Sequence, residues 1–174
     1  MNYIKRNLEN VVEQVTKEYP VVLVTGPRQV GKTTMLQKLM EGTDRGYVTL
    51  DDLNERNIAK TDPELFLQLH KPPVLIDEVQ YAPELFTYIK MHVDRKHQPG
   101  AFWLTGSQVF KLMKGVQESL AGRVAVLSLT SLAQAEICDA GMEPFTIDPE
   151  ALTERKKGRK EADTREIFNR IYKG

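Results

Sequence analysis

The apolar run Val21-Val22-Leu23-Val24-Thr25 passes directly into Gly26-Pro27-Arg28-Gln29-Val30-Gly31-Lys32-Thr33-Thr34 and then into a helical pattern. Few features restrict a fold so tightly. An unbroken apolar run reads as a strand covered on both faces, since a strand with one wet face would alternate. The spacing Gly-x-x-x-x-Gly-Lys-Thr lets the backbone turn its amides inward, and the helix that follows offers its free N–H groups to an anion. Strand, glycine loop and helix in this order are the parts of a phosphate-binding loop. Gly26, Pro27, Arg28, Gln29, Val30, Gly31, Lys32, Thr33 and Thr34 would then surround a polyphosphate. Lys32 would reach its outer phosphates, and the Thr33 hydroxyl would ligate Mg²⁺. The competing interpretation is a strand-to-helix turn that binds nothing, and the strand-then-helix context argues against it.

The second chemical signal is Pro73-Val74-Leu75-Ile76-Asp77-Glu78, an apolar run that ends in two adjacent carboxylates. Successive side chains on an extended backbone diverge, so the two acids can serve two tasks. Asp77 would hold Mg²⁺ and Glu78 would act as the base that polarises a water for in-line attack on a γ-phosphate. Further on, Ala101-Phe102-Trp103-Leu104-Thr105 reads as another strand, delivering Gly106-Ser107-Gln108 beside the acids. Thr105, Ser107 and Gln108 are candidates for sensing the γ-phosphate or placing the water, with a hydroxyl-rich cap on a helix from Gln108 to Met113 as the alternative. Arg123, just before a fifth apolar strand from Val124 to Leu129, is either a surface cation or a guanidinium that neutralises phosphoryl charge, in its own chain or across a subunit interface.

The intervening segments fill in a repeated strand and helix pattern. Ile4, Leu8, Val11, Val12 and Val15 fall at helical spacing, with Lys5, Arg6, Glu9, Glu13 and Lys17 on the other faces, which predicts an amphipathic helix packed against the sheet edge. A helix from Lys32 to about Met40 precedes a short strand, Tyr47 to Leu50. Asp51-Asp52 then caps a helix over Leu53 to Ala59 or, alternatively, turns one carboxylate toward the metal. Thr61-Asp62-Pro63-Glu64 opens a helix through Leu69, Pro83 to Lys96 forms another, and Ser131-Leu132-Ala133-Gln134 reads as a capping box opening a helix toward Asp139. Strands alternating with helices imply a parallel sheet covered on both faces.

Bulk properties exclude more than they assign. The 174 residues suffice for one well-buried domain and an appendage, and 24 basic against 24 acidic residues leave no global field toward nucleic acid or membrane. Cys138 is the single cysteine, so no internal disulfide forms. No apolar run approaches the roughly 18 residues of a membrane span, and Met1 to Lys17 lacks a signal-peptide core, which predicts a cytoplasmic protein. The division expected is residues 1–137 as the nucleotide-binding domain with its N-terminal helix, and 138–174 as a polar linker opening a further region. There the run Arg155-Lys156-Lys157-Gly158-Arg159-Lys160 has no interleaved aromatics and is flanked by Glu154 and Glu161. It reads as a solvated stretch rather than a nucleic-acid contact.

Taken together, Gly26 to Thr34, Leu50-Asp51-Asp52, Ile76-Asp77-Glu78-Val79-Gln80, Leu104-Thr105-Gly106-Ser107-Gln108 and Leu120-Ala121-Gly122-Arg123 resemble a prokaryotic AAA-type family of P-loop ATPases. The resemblance covers roughly residues 1 to 137. It implies a three-layer α/β fold with a parallel five-stranded sheet of order 5-1-4-3-2, in which an extra strand separates the loop strand from the acid strand. It also implies ATP as substrate with Mg²⁺, Asp77 and Glu78 as the acid pair and the Ser107 region as polar sensor. Family members continue into a C-terminal domain of unknown function, so the resemblance implies a longer parent chain. A helical lid with a second sensing arginine is not evident. Two functions follow from the same site. One is an ATPase; the other is an ATP-dependent switch of slow turnover that engages a partner protein or DNA, alone or as an oligomer. A GTPase is disfavoured because no Asn/Thr-Lys-x-Asp segment appears. A kinase is disfavoured because a water-activating Glu78 would serve it poorly.

Overall fold

A computed structural model describes residues 3–107, 115–116, 118–137, 146–157 and 163–173. At its centre the strand ahead of the loop, β1 (Val21–Thr25), is buried along its whole length. It pairs in parallel with β4 (Phe102–Gly106) on one side and β5 (Val124–Ser128) on the other. Beyond β4 lies β3 (Val74–Asp77), and beyond that the edge strand β2 (Gly46–Thr49), again in parallel register. The order β2-β3-β4-β1-β5 is the expected 5-1-4-3-2 counted from the opposite edge. One consequence governs the site: parallel strands deliver all their carboxyl ends to the same side of the sheet.

The period of two along each strand sorts the core into two layers. Val21, Leu23, Val74, Ile76, Phe102 and Leu104 pack with Ala59 of α3 (Leu53–Thr61), Phe66 of α4 (Pro63–Leu69), and Leu85, Phe86, Ile89 and Val93 of α5 (Leu85–Lys96). Val22, Val24, Leu75 and Trp103 pack on the other face with Val12 of α1 (Leu8–Thr16) and with Met35 and Leu36 of α2 (Lys32–Met40). The helix α1 thus lies on a sheet face, not at its edge. Its stripe is also rotated from the expected one: Val11 is 38% exposed, whereas Arg6 and Glu9 are only 5% and 6% exposed. A helical wheel cannot see this, because the contacts that bury Arg6 come from segments distant in sequence.

Of the two aspartates after β2, Asp52 caps α3, its carboxylate accepting from the Asn54 and Glu55 amides at 2.7 and 3.2 Å. Asp51 lies 3.8 Å from Arg56. The cap therefore accounts for Asp52. Asp52→Ala should lower stability by about 1 kcal/mol, read as an earlier urea midpoint with an unchanged slope.

The described residues divide into two units, Lys5–Leu132 and Met1–Ile4 with Ala133–Gly174. The second contains α6 (Gln134–Ile137), α7 (Pro149–Lys157) and α8 (Thr164–Lys173). At α6 the Ala133 amide donates to Glu136 at 2.8 Å, so the capping pair sits two residues beyond the expected box. Arg155, Lys156 and Lys157 form the last turn of α7, where cations favour the helix dipole, rather than a loop. Gln108 with its expected helix, Cys138, Asp139, and the continuation of the basic run through Lys160 lie outside the described residues.

Candidate functional site

The loop after β1 takes up conformations that only its sequence permits. Gly26 has φ 143° and Gly31 φ 90°, both in the region that disfavours side chains, while Gln29 takes φ 61°. Gly26 is constrained by packing as well, since a Cβ there would lie 2.1 Å from the Leu129 carbonyl oxygen. Gly31 precedes the first residue of α2, so the helix N-terminus opens at the loop. Lys32 folds back over it, its Nζ donating to the Gly26 and Pro27 carbonyls at 3.1 and 2.7 Å. Burial pushes the Lys32 ammonium below the usual lysine value. The carboxylates of Glu78 and Asp77 oppose that shift, and Arg28 adds to it.

The acid pair arrives on β3, two strands away. Thr33 Oγ1 donates to Asp77 Oδ1 at 2.6 Å, joining loop to acid strand. Thr105, fully buried at the end of β4, donates to the same Asp77 oxygen and accepts from the Glu78 amide at 3.0 Å. One hydroxyl thus fixes the Asp77–Glu78 turn from the neighbouring strand. Tyr47 Oη, from the edge strand, lies 3.4 Å from Asp77 Oδ2; burial, and then the Asp77 charge, push this phenol above its usual range.

Glu78 adopts φ 58°, a left-handed conformation that costs a non-glycine residue roughly 1 to 3 kcal/mol and concentrates at functional sites. The turn carries its carboxylate out of the strand direction and toward β4. Its Oε2 accepts from Gln80 Nε2 in a very short hydrogen bond and from Ser107 Oγ at 3.3 Å. Gln80 Nε2 also lies 3.4 Å from Ser107 Oγ. Among the described residues, the buried Gln80 Oε1 has no hydrogen-bond partner.

Lys32, Thr33, Asp77, Glu78, Thr105 and Ser107 therefore converge at the carboxyl end of the sheet. Arg123 does not. The Val21 amide, at the entry to β1, donates to the Arg123 carbonyl, and the Arg123 side chain bonds Asp94 at 2.5 Å and the Ala121 carbonyl at 3.0 Å. A five-residue strand of about 3.3 Å per residue separates it from the loop. The expectation that Arg123 touches nucleotide in its own chain is corrected accordingly. It precedes β5, whereas the site lies where the strands end.

Three contributors were missed by sequence reading. Gln80 lies within the acid motif with no role that the sequence assigns it, and Tyr47 reads in sequence only as part of a strand. Arg6 was assigned to a solvent-facing side, but its Nη1 donates to Val30 O of the loop and its Nη2 to Thr130 O, both at 2.8 Å.

A family model described as AAA domain matches residues 18–138. The chain belongs to that family, among the prokaryotic AAA-type P-loop ATPases. The uncharacterized proteins Rv2008c of Mycobacterium tuberculosis and Mb2031c of Mycobacterium bovis are each 38% identical to this AAA domain over 119 residues. The match takes in 68% of this chain and 26% of theirs. The chain thus spans part of the length of these curated relatives. The Walker-type ATPase PABY2304 of Pyrococcus abyssi shares the fold, with a TM-score of 0.57 at 18% identity over 79% of this chain and 56% of that one. Membership in this family supports nucleotide binding by the domain. No helix among the described residues is long and apolar enough to cross a membrane.

Proposed function

We propose that this AAA domain binds ATP with Mg²⁺ at the Gly26–Thr34 loop and hydrolyses it to ADP and phosphate. The observation that carries the reading is the Thr33–Asp77 hydrogen bond with Glu78 next in sequence. A hydroxyl and a carboxylate are hard oxygen donors, the kind Mg²⁺ takes beside phosphate oxygens and water, so the residues fit the metal. When bound, Mg²⁺ would neutralise charge on the β- and γ-phosphates.

The chain's own residues supply the rest. The loop amides and the start of α2 cradle the phosphates, and Lys32 exchanges its loop carbonyls for phosphate oxygens. Thr33 and Asp77 would hold the metal. Glu78 accepts the proton of the attacking water, while Ser107 and Thr105 fix where that carboxylate stands. The test is phosphate release by the purified protein with MgATP. Lys32→Met should abolish turnover and weaken ATP binding at least tenfold, the loss of a charge-assisted contact. Equal binding and turnover in that variant would reject the site.

A second reading draws on the Glu78 carboxylate itself. Gln80 and Ser107 both bond Oε2, one of the two oxygens of the carboxylate that would accept the water's proton. A base held in this way favours slow turnover, in which bound ATP chiefly alters the surface offered to a partner protein or to further segments of a longer chain. Gln80→Ala separates the two readings. A rise in ATP turnover of threefold or more, at unchanged ATP affinity, indicates a restrained base and supports the switch; unchanged or reduced turnover favours the plain ATPase. A cytoplasmic location, oligomerisation and any role for Arg123 across a subunit interface belong to the same proposal.

A further inference from the structure

We infer that Arg6 is a positioning residue that sets the phosphate loop in its anion-binding shape and ties it to the segment following β5. The inference rests on the reading of the loop as a nucleotide site. Arg6 comes from outside every motif that defines that site, ahead of α1, yet it is 5% exposed. Its two terminal nitrogens each reach a backbone oxygen at 2.8 Å, Val30 O in the loop and Thr130 O beyond β5.

The Val30 contact controls a donor. In a trans peptide the carbonyl and the following N–H point in opposite directions. A guanidinium that holds Val30 O on one side therefore turns the Gly31 N–H to the other. That amide stands at the mouth of α2, where Gly31 has φ 90° and precedes Lys32. With Gln29 and Gly31 both at positive φ, the loop has little intrinsic preference for this shape and needs an external restraint.

The Thr130 contact supplies the anchor. The segment it belongs to is itself held against β1 and the loop: the Leu129 amide donates to Thr25 O at 2.8 Å, and Gly26 packs on Leu129 O. Arg6 thus bridges the far end of the loop to chain already fixed at its near end. A planar fork suits two diverging oxygens, whereas a lysine ammonium on a single stem cannot serve both in the same geometry.

The experiment measures MgADP affinity by calorimetry for the parent, Arg6→Met, Arg6→Lys, and Val12→Ala as a control that loosens the packing of α1 but removes no hydrogen bond to the loop. Arg6→Met should raise the Kd about tenfold or more, and Arg6→Lys about threefold or more, as expected when a charge-assisted hydrogen bond and the donor it orients are lost. Val12→Ala should lower the melting temperature yet leave the Kd within about twofold. Kd values within twofold of the parent in folded Arg6→Met overturn the inference; so does a Kd loss in Val12→Ala equal to that in the Arg6 variants. Should Arg6→Met fail to fold, Arg6→Lys decides on its own threshold. A parent that binds no ADP rejects the nucleotide reading itself, and this inference with it.

Discussion

Glu78→Gln is expected to lower ATP turnover by about two to four orders of magnitude, the usual contribution of a general base, while ATP affinity changes little. The amide has nearly the same shape, can keep the same oxygen facing Gln80 and Ser107, and leaves Lys32 and the loop untouched. What it lacks is the capacity to take a proton from water. The measurement is single-turnover phosphate release alongside a binding titration. A fall in both together would mean that Glu78 shapes the nucleotide pocket instead. A variant that hydrolyses at the parental rate would remove Glu78 from the chemistry and leave only its structural place, held by the Thr105 hydroxyl on its amide.

The largest stability effect is expected at Gly26→Ala. An added Cβ meets the Leu129 oxygen at 2.1 Å and its carbonyl carbon at 3.1 Å, and both are backbone atoms fixed by pairing to β1. Neither can rotate away as a flexible side chain would. The φ of 143° adds conformational strain. Overpacking and strain of roughly 1 to 3 kcal/mol each sum to about 2 to 6 kcal/mol, a large part of the roughly 5 to 15 kcal/mol that holds such a domain together. Chemical denaturation should show a midpoint far below the parent's, with nucleotide no longer raising it. Gly42→Ala provides the contrast: its Cβ would meet nothing within 4 Å, so only the strain should register. Equal midpoints for the two variants would show that the contact with Leu129 imposes no cost.

The sheet was legible because each strand is a short apolar run bounded by turn residues. The loop, acids and terminal hydroxyls were legible because their chemistry dictates residue types at the carboxyl ends of those strands. Boundaries moved by a residue, as with β4, which begins at Phe102 rather than Ala101. What escaped was what depends on long-range packing. Arg6 and Glu9 carry charges that place them on the wet face of any helical wheel, and nothing local shows that Val30 and Thr130 will surround the guanidinium. Gln80 escaped because its contact with Glu78 depends on the turn at Glu78, and Ser107, which shares that carboxylate, follows another strand. Of the alternatives open for Arg123, contact with nucleotide in its own chain is disfavoured for the complementary reason. Its residue type suited phosphate, but its position at the start of a parallel strand assigned it to the opposite end of the sheet, where Asp94 receives it.

Lys32 is chelated by its own loop, through the Gly26 and Pro27 carbonyls. Any ligand must therefore displace an internal competitor before it gains the ammonium. An anion with a single accessible oxygen exchanges two good contacts for one. A chain of linked phosphates can match both and engage the helix start as well. If the loop binds nucleotide as proposed, the lysine would thereby favour linked phosphates over an anion that offers it a single oxygen.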